Sequence, residues 1–153
     1  MATGFYNVPK AVNEPINSYA PGTPERKALL DTYKKMYSEK VDIPFYIGGK
    51  EYRTGNTVSI HPPQDHKHCV GQYHTADQSH IELAIKKSLD AREQWAQTSW
   101  EHRAAIFLKA ADLLAGPFRN RMNAATMIGQ SKNVMQAEIE EDLCGNVKQA
   151  RKP

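Results

Sequence analysis

Six histidines and two cysteines are the side chains of this sequence best suited to metal or nucleophilic chemistry, and five of the histidines crowd one stretch. That stretch holds His61, His66, His68, Cys69, His74 and His80. His66 and His68 would share one face of an extended strand, with Cys69 beside them as a third zinc ligand. Zinc, however, needs a tetrahedral ligand set, and neither C-x-x-C nor H-x-x-x-H spacing occurs here. The histidines are read instead as polar residues of a proline-bearing loop. Cys144 stands in Glu141-Asp142-Leu143-Cys144-Gly145, and acidic neighbours raise a thiol's pKa, the reverse of what a nucleophile needs. Gly48-Gly49-Lys50 lacks the spacing and the Ser/Thr of a phosphate-binding loop, and no G-x-G-x-x-G is present. Trp95 and Trp100 bracket a helix junction and are expected to be core aromatics. Lys148, Arg151 and Lys152 form a basic tail too small to hold nucleic acid by itself. No catalytic, cofactor-binding or metal-ligating residue is assigned.

The elements that would carry these residues are marked by local chemistry. Residues 1–22 read as an extended arm, because Pro9, Pro15 and Pro21 block a regular helix. Thr23 as N-cap, Pro24 at the first helical position and Glu25 at the positive end of the dipole open a helix. Leu29, Leu30, Tyr33, Met36 and Tyr37 continue it, and Asp42-Ile43-Pro44 is expected to stop it. Phe45-Tyr46-Ile47 and Glu51-Tyr52-Arg53 read as a hairpin turning on the glycine pair. Thr57–Ile60 and Cys69–Tyr73 read as two more short strands joined by the loop from His61 to His68. Helices then follow in series. One opens on a Ser79/Glu82 capping box and carries Ile81, Ile85, Leu89 and Trp95. A second runs from Ser99 to Gly116-Pro117, a third from about Phe118 to Ile128, and a fourth from near Asn133.

Composition sets the class. The 153 residues carry 20 basic and 17 acidic side chains, a formal charge of +3 too balanced to imply a nucleic-acid or membrane partner. No apolar run approaches the roughly 18 residues that span a bilayer. The first ten residues have neither the h-region of a secretory signal nor an arginine-rich transit helix, so a cytoplasmic chain is expected, or one of the mitochondrial matrix if the source is eukaryotic. Strands followed by capped helices, with no βαβ crossover, look like the entrance to a larger α/β fold.

Several phrases resemble one family. Asn13-Glu14-Pro15 with Pro21-Gly22-Thr23-Pro24-Glu25-Arg26 is similar to the opening of Δ1-pyrroline-5-carboxylate dehydrogenases, members of the aldehyde dehydrogenase superfamily. So are Ala104–Pro117 and Ala125–Asn133 running into Gln136-Ala137-Glu138-Ile139, and the likeness extends over residues 5–140 in consistent order. Bacterial, untargeted members look closest. The resemblance implies an α/β fold: the amino-terminal part of an aldehyde dehydrogenase, missing the Rossmann-like sheet. Residues 23–140 would belong to the NAD-binding domain, after the arm of residues 1–22. It implies a parent enzyme, a homo-oligomer, that oxidises L-glutamate γ-semialdehyde to glutamate with NAD in proline catabolism. In that family a cysteine thiolate attacks the aldehyde, hydride passes to NAD, and a glutamate helps water release the acid. An oxyanion hole stabilises the tetrahedral species.

Residues 141–153 depart from the family, which continues through an alanine-rich helix holding a glutamate near the substrate pocket. Cys144 falls roughly where that glutamate would stand, and Gly145 is expected to break the helix. The stretch reads as a truncation junction or a frameshift. The catalytic residues would lie beyond it, so this chain is expected to be inactive and to bind no NAD by itself. The rival readings are a stand-alone binding or regulatory module derived from this segment and a small metal-binding protein using the histidine loop. Without the missing sheet, the apolar faces of the first two of the serial helices are expected to cover only each other, leaving the chain poorly folded or self-associating.

Overall fold

The structure, a computed structural model, describes residues 14–145, the last five as helix backbone alone. The start of the arm, the Cys144 side chain and the basic tail lie outside the described residues. Helix α1 is Pro24–Ser38. Thr23 precedes it with extended backbone, but its hydroxyl donates to the Ala20 carbonyl (2.9 Å) rather than capping the helix. The helix ends at Ser38, short of the Asp42-Ile43-Pro44 stop expected from sequence, because Val41–Ile43 forms strand β1 instead. β-Branched Val41 and Ile43 suit a ladder better than a last helical turn.

Strands β2 (Phe45–Ile47) and β3 (Lys50–Tyr52) form the expected hairpin, pairing Phe45 with Tyr52 and Ile47 with Lys50. Gly48 and Gly49 take φ of +57° and +77°, as a two-residue turn that matches strand twist requires. Strands β4 (Thr57–Ile60) and β5 (Gly71–His74) pair antiparallel, and β5 also pairs with β1, in parallel, giving a three-stranded sheet of order β1-β5-β4. The connection between the parallel strands runs through the hairpin and β4 with no helix, so no βαβ crossover occurs among the described residues. Gly71 makes the pairing possible. Its φ is +155°, and a Cβ there would sit 2.2 Å from the Val41 carbonyl oxygen and 2.8 Å from the Val41 nitrogen, both backbone atoms of the neighbouring strand.

Helices α2 (Gln78–Gln97), α3 (Trp100–Ala115), α4 (Arg119–Gln130) and α5 (Val134–Gly145) follow. Asp77, not Ser79, caps α2, accepting from the His80 amide at 3.0 Å; the shift arises because Ser79 donates its hydroxyl to Asp77. Ser99 caps α3 as expected. Gly129 lies inside α4, and Ser131, at φ +55°, turns the chain out of it. Asn133 and Gln136 make a reciprocal capping box, each side-chain oxygen accepting the other's amide at 2.9 and 3.0 Å. Gly145 is the last described residue of α5, so the break expected there falls at the limit of the described residues.

The small core sits where the arm, α1 and α4 meet. Tyr19, Leu29 and Ala124 are buried there, with Tyr33, Met36, Met127 and Val134 packed around them. The faces expected to cover each other do not. Helix α2 has no buried residue, and Ile81, Ile85 and Leu89 along it stay half exposed or more. Ile106 and Phe107 on α3 are exposed too, as are Trp95 and Trp100, which corrects their placement in a core. The cause is geometric: α3 packs on α5 and α4, and α2 leans on β2, so neither meets the other along its apolar row.

Gly71→Ala is expected to destabilise the β1–β5 pairing by about 2–4 kcal/mol, since the methyl group meets immovable backbone at a position of left-handed φ. Hydrogen exchange at the Val41 amide, bonded to the Val70 carbonyl at 3.0 Å, should accelerate in the variant, and unchanged exchange would refute the reading. The exposed rows also predict that the isolated chain self-associates and binds a hydrophobic dye, which sedimentation and fluorescence would check.

Candidate functional site

Four of the six histidines are spent on local structure. His68 Nε2 donates to the Tyr37 carbonyl (2.7 Å) and its ring stacks on Tyr37 at 4.1 Å, while Tyr37 donates its hydroxyl to Asp65 (3.0 Å). His61 Nδ1 donates to the His68 carbonyl (2.9 Å), closing the loop upon itself. His74 lies against Asp42, which Gln72 and Arg53 also bond, and these donors hold the Asp42 carboxyl down at about 2. His80 bonds Asp77 and meets the rings of Phe45 and Tyr52 edge-on. His66 is exposed, and Cys69, half-buried, donates weakly to the Gly71 carbonyl. Among the described residues no three His, Cys, Asp or Glu side chains gather as a metal site. Gly48-Gly49-Lys50 is the hairpin turn and leads into a strand.

The most densely built polar site among the described residues was not picked out from sequence. Glu138 on α5 and Asn123 on α4 are fully buried, side by side. Glu138 Oε1 accepts the Asn17 amide of the arm (2.8 Å), and Oε2 accepts the Tyr19 hydroxyl (2.7 Å) and Asn123 Nδ2 (2.7 Å). Arg119, from the first turn of α4, spans both oxygens through Nε and Nη2, and Nη2 also donates to the Pro15 carbonyl (2.7 Å). Arg26 on α1 adds a bond to the Tyr19 carbonyl at 3.0 Å. Tyr19 itself has φ +48°, rare for a bulky residue and tolerated because its hydroxyl, carbonyl and ring are each held.

Each group's electrostatics reflects these contacts. Burial pushes the Glu138 carboxyl up, but the Asn17 amide, Arg119, Tyr19 and Asn123 donate to the charged form and hold it below the ordinary carboxylate value. Burial works against the Arg119 charge, and the Glu138 carboxylate outweighs it. Burial also raises the Tyr19 phenol, so it remains a donor. A carboxylate engaged by four donor groups, with a depressed pKa, is a poor general base. The cluster is a latch that ties the arm to α4 and α5.

A groove of about 560 Å³ lies between α1, α4 and the three-stranded sheet. Met36, Val41, Ile43, Ile60, Val70 and Ile128 give it an apolar floor, and Lys35, Glu39 and Arg121 stand on its rim. It pairs no acid with a nucleophile, so it suits burial of apolar surface rather than bond chemistry.

Three residues from the phrases that carry the sequence resemblance reach the latch. Pro15, Arg26 and Glu138 come from separate phrases of that resemblance and meet within one hydrogen-bonded unit. A signal for Glu138 was present: Val134, Ala137 and Glu138 share one face of α5, so the carboxylate falls on the apolar stripe.

The geometry has counterparts. The family model described as aldehyde dehydrogenase matches residues 51–150. A Delta-1-pyrroline-5-carboxylate dehydrogenase of Agaricus bisporus is 42% identical over 136 residues, 88% of this chain and 25% of that protein. The mitochondrial Delta-1-pyrroline-5-carboxylate dehydrogenase of Homo sapiens is 40% identical over 131 residues, 86% of this chain and 23% of that one. A solved structure, the Delta-pyrroline-5-carboxylate dehydrogenase of Mycobacterium tuberculosis bound with NAD and cobalamin, superposes with a TM-score of 0.88 at 37% identity. That match covers 99% of this chain and 30% of the solved one. The chain thus spans about a quarter of the length of the curated relatives it matches.

Glu138→Gln should cost about 3–5 kcal/mol, because it leaves the Arg119 charge buried without its counter-ion. The pH dependence has a definite sign. The folded carboxyl titrates below its unfolded value of about 4.3, so its stabilisation is complete above that range and fades as pH falls through the lower folded value. Acid titration followed by amide exchange at Asn17 and Tyr19 should show the wild-type arm released only as pH falls through the depressed folded value. In the glutamine variant the arm should already be loose at neutral pH. An arm equally protected in both would remove the latch from the account.

Proposed function

The chain belongs to the aldehyde dehydrogenase family, whose model matches residues 51–150, and from that premise we propose that it is the amino-terminal segment of an NAD-dependent enzyme oxidising L-glutamate γ-semialdehyde to glutamate. Residues 23–140 would form the opening of its NAD-binding domain, with residues 1–22 as an arm. The observation that carries this reading is the likeness to one particular branch of the family. Identity of 42% holds over 88% of the chain, and the fold agreement with a solved member reaches 99% of it. Motifs shared only with generic aldehyde dehydrogenases would not extend through the arm and the Gln136–Ile139 phrase alike.

The chemistry of such an enzyme requires a cysteine thiolate to attack the aldehyde, donors to stabilise the oxyanion, and a bound nicotinamide to take the hydride. The polar cluster around Glu138 supplies none of these, and its task would be architectural. The proposed enzyme works on a small aldehyde, as a homo-oligomer, with no nucleic-acid or membrane partner, in the cytoplasm or, in a eukaryote, the mitochondrial matrix. No helix among the described residues is long and apolar enough to cross a membrane.

The test has two arms. The purified chain should give no NAD-dependent oxidation of glutamate semialdehyde above the uncatalysed rate. A single polypeptide joining residues 1–140 to the remaining carboxy-terminal three quarters of the fungal relative should restore it. Turnover by the chain alone, lost with Cys144→Ser, would overturn the first expectation. A soluble joined protein without activity would overturn the assignment.

A further inference from the structure

Tyr33 and Tyr37 stand four residues apart on α1, so their rings share one helix face. The two rings stack with centroids 5.7 Å apart and planes 15° from parallel. His68 stacks on Tyr37 as well, at 4.1 Å and 12°. Tyr37 therefore belongs to both stacked pairs, and its hydroxyl donates to Asp65 Oδ2 at 3.0 Å. Asp65 is itself fixed: Oδ1 accepts the Lys67 amide and its carbonyl accepts the His68 amide. One loop thus delivers both the carboxylate and the stacked imidazole to the same tyrosine. Neither the latch nor the proposed dehydrogenase chemistry makes use of this arrangement.

A neutral phenol that loses an electron becomes a strong acid. The electron therefore leaves most readily where a base can take the proton at once, and adjoining π systems spread the charge that develops. Tyr37 has both. Burial and the Asp65 carboxylate raise its phenol above the ordinary value, so it meets an oxidant still protonated. The Tyr37 hydrogen bond is the main cause that holds the Asp65 carboxyl low, so Asp65 is ionised and able to take the proton. We propose that Tyr37 is the preferred site of one-electron oxidation among the described tyrosines, with Asp65 as proton acceptor and a small inorganic radical as oxidant. With the carbonate radical, the electron passes to the oxidant and the proton passes to Asp65, which hands it on to the carbonate formed. A tyrosyl radical and bicarbonate result. Nitrogen dioxide can then bond to a ring carbon beside the oxygen, and the hydrogen on that carbon moves to the oxygen to give 3-nitrotyrosine.

Two other tyrosines donate to carboxylates, and each lacks part of this arrangement. Tyr19 is 3% exposed, and the Glu138 oxygens it meets are already committed to Arg119, Asn123 and the Asn17 amide. Tyr46 is 65% exposed and donates to Glu51 at 2.9 Å. Glu51 also pairs with Arg53, a cation that resists the arrival of a proton, and among the described residues the Tyr46 ring joins no stack. Tyr37 is only half-buried, which leaves it within reach of a small oxidant. Exposure alone would put Tyr46 ahead of Tyr37, whereas the chemistry puts Tyr37 ahead.

The full chain would be treated with peroxynitrite in bicarbonate buffer, which supplies both the carbonate radical and nitrogen dioxide. Nitrated peptides would be mapped by mass spectrometry, with Tyr46 as the reference inside the same molecule. The expected result is more 3-nitrotyrosine at Tyr37 than at Tyr46. Asp65→Asn keeps an oxygen to accept the hydroxyl but removes the base, and should lower nitration of Tyr37 relative to Tyr46 by about fivefold. Asp65→Glu restores a carboxylate and should recover most of that loss, which a merely displaced loop would not. Nitration that follows exposure, with Tyr46 ahead of Tyr37, overturns the proposal. So does an Asp65→Asn variant nitrated at Tyr37 as fully as the wild type, or an Asp65→Glu variant left as low as the asparagine one.

Discussion

A carboxylate taken out of water must find inside the protein the donors that water supplied, and Glu138 finds them only when three separate pieces of chain are assembled. Its two oxygens collect the Asn17 amide and Tyr19 hydroxyl from the arm, and Asn123 and Arg119 from α4. No single element could satisfy it. The bidentate arginine adds direction as well as charge, because a guanidinium fork accepts only a narrow range of carboxylate orientations. The consequence is positional: α5 is held against α4, and the arm is drawn over both. The strained backbone of Tyr19 persists because its ring, hydroxyl and carbonyl are each occupied. An apolar replacement of the whole cluster could pack as tightly, but it would not specify which arm residue meets which helix turn.

Three parts of the described chain differ in how they are stabilised. Around the latch, α1, α4, α5 and the arm close on Leu29 and Ala124. The hairpin and small sheet are held by turn chemistry, by the close approach at Gly71 and by the Asp42 and His68 contacts. Helices α2 and α3 keep their shape through local means, the Asp77 and Ser99 caps and their helical hydrogen bonds, while their apolar rows face outward. An autonomous domain rarely leaves such rows open, since each unburied large side chain forgoes about 1.5–3 kcal/mol. A segment of a larger fold can, and membership of the aldehyde dehydrogenase family gives the physical reason.

Local signals were the legible part of the sequence. Pro24, the glycine pair at 48–49, Ser99, Gly116 and the Asn133 start each act within a few residues, and the elements they mark stand where expected. The family was legible too, through phrases long enough to be specific. What escaped depended on distant partners. Asp42-Ile43-Pro44 reads as a helix stop, and the strand at Val41–Ile43 is missed, because its ladder partner lies 30 residues on. Trp95 and Trp100 read as core because large aromatics usually are buried, and only the fold reveals that among the described residues both stay about half exposed. Glu138 hides most thoroughly. A glutamate in a helix is ordinarily a solvated charge, and its donors come from positions as far back as Asn17.

The most direct measurement of the central claim is site-resolved amide exchange at Asn17 at neutral pH, compared with Ala124 in the α4 core. If the Glu138 latch holds the arm to the helices, the Asn17 amide should exchange as slowly as Ala124, because both open only when the assembled unit opens. An Asn17 amide exchanging at the rate of an unstructured chain, with Ala124 still protected, would contradict it.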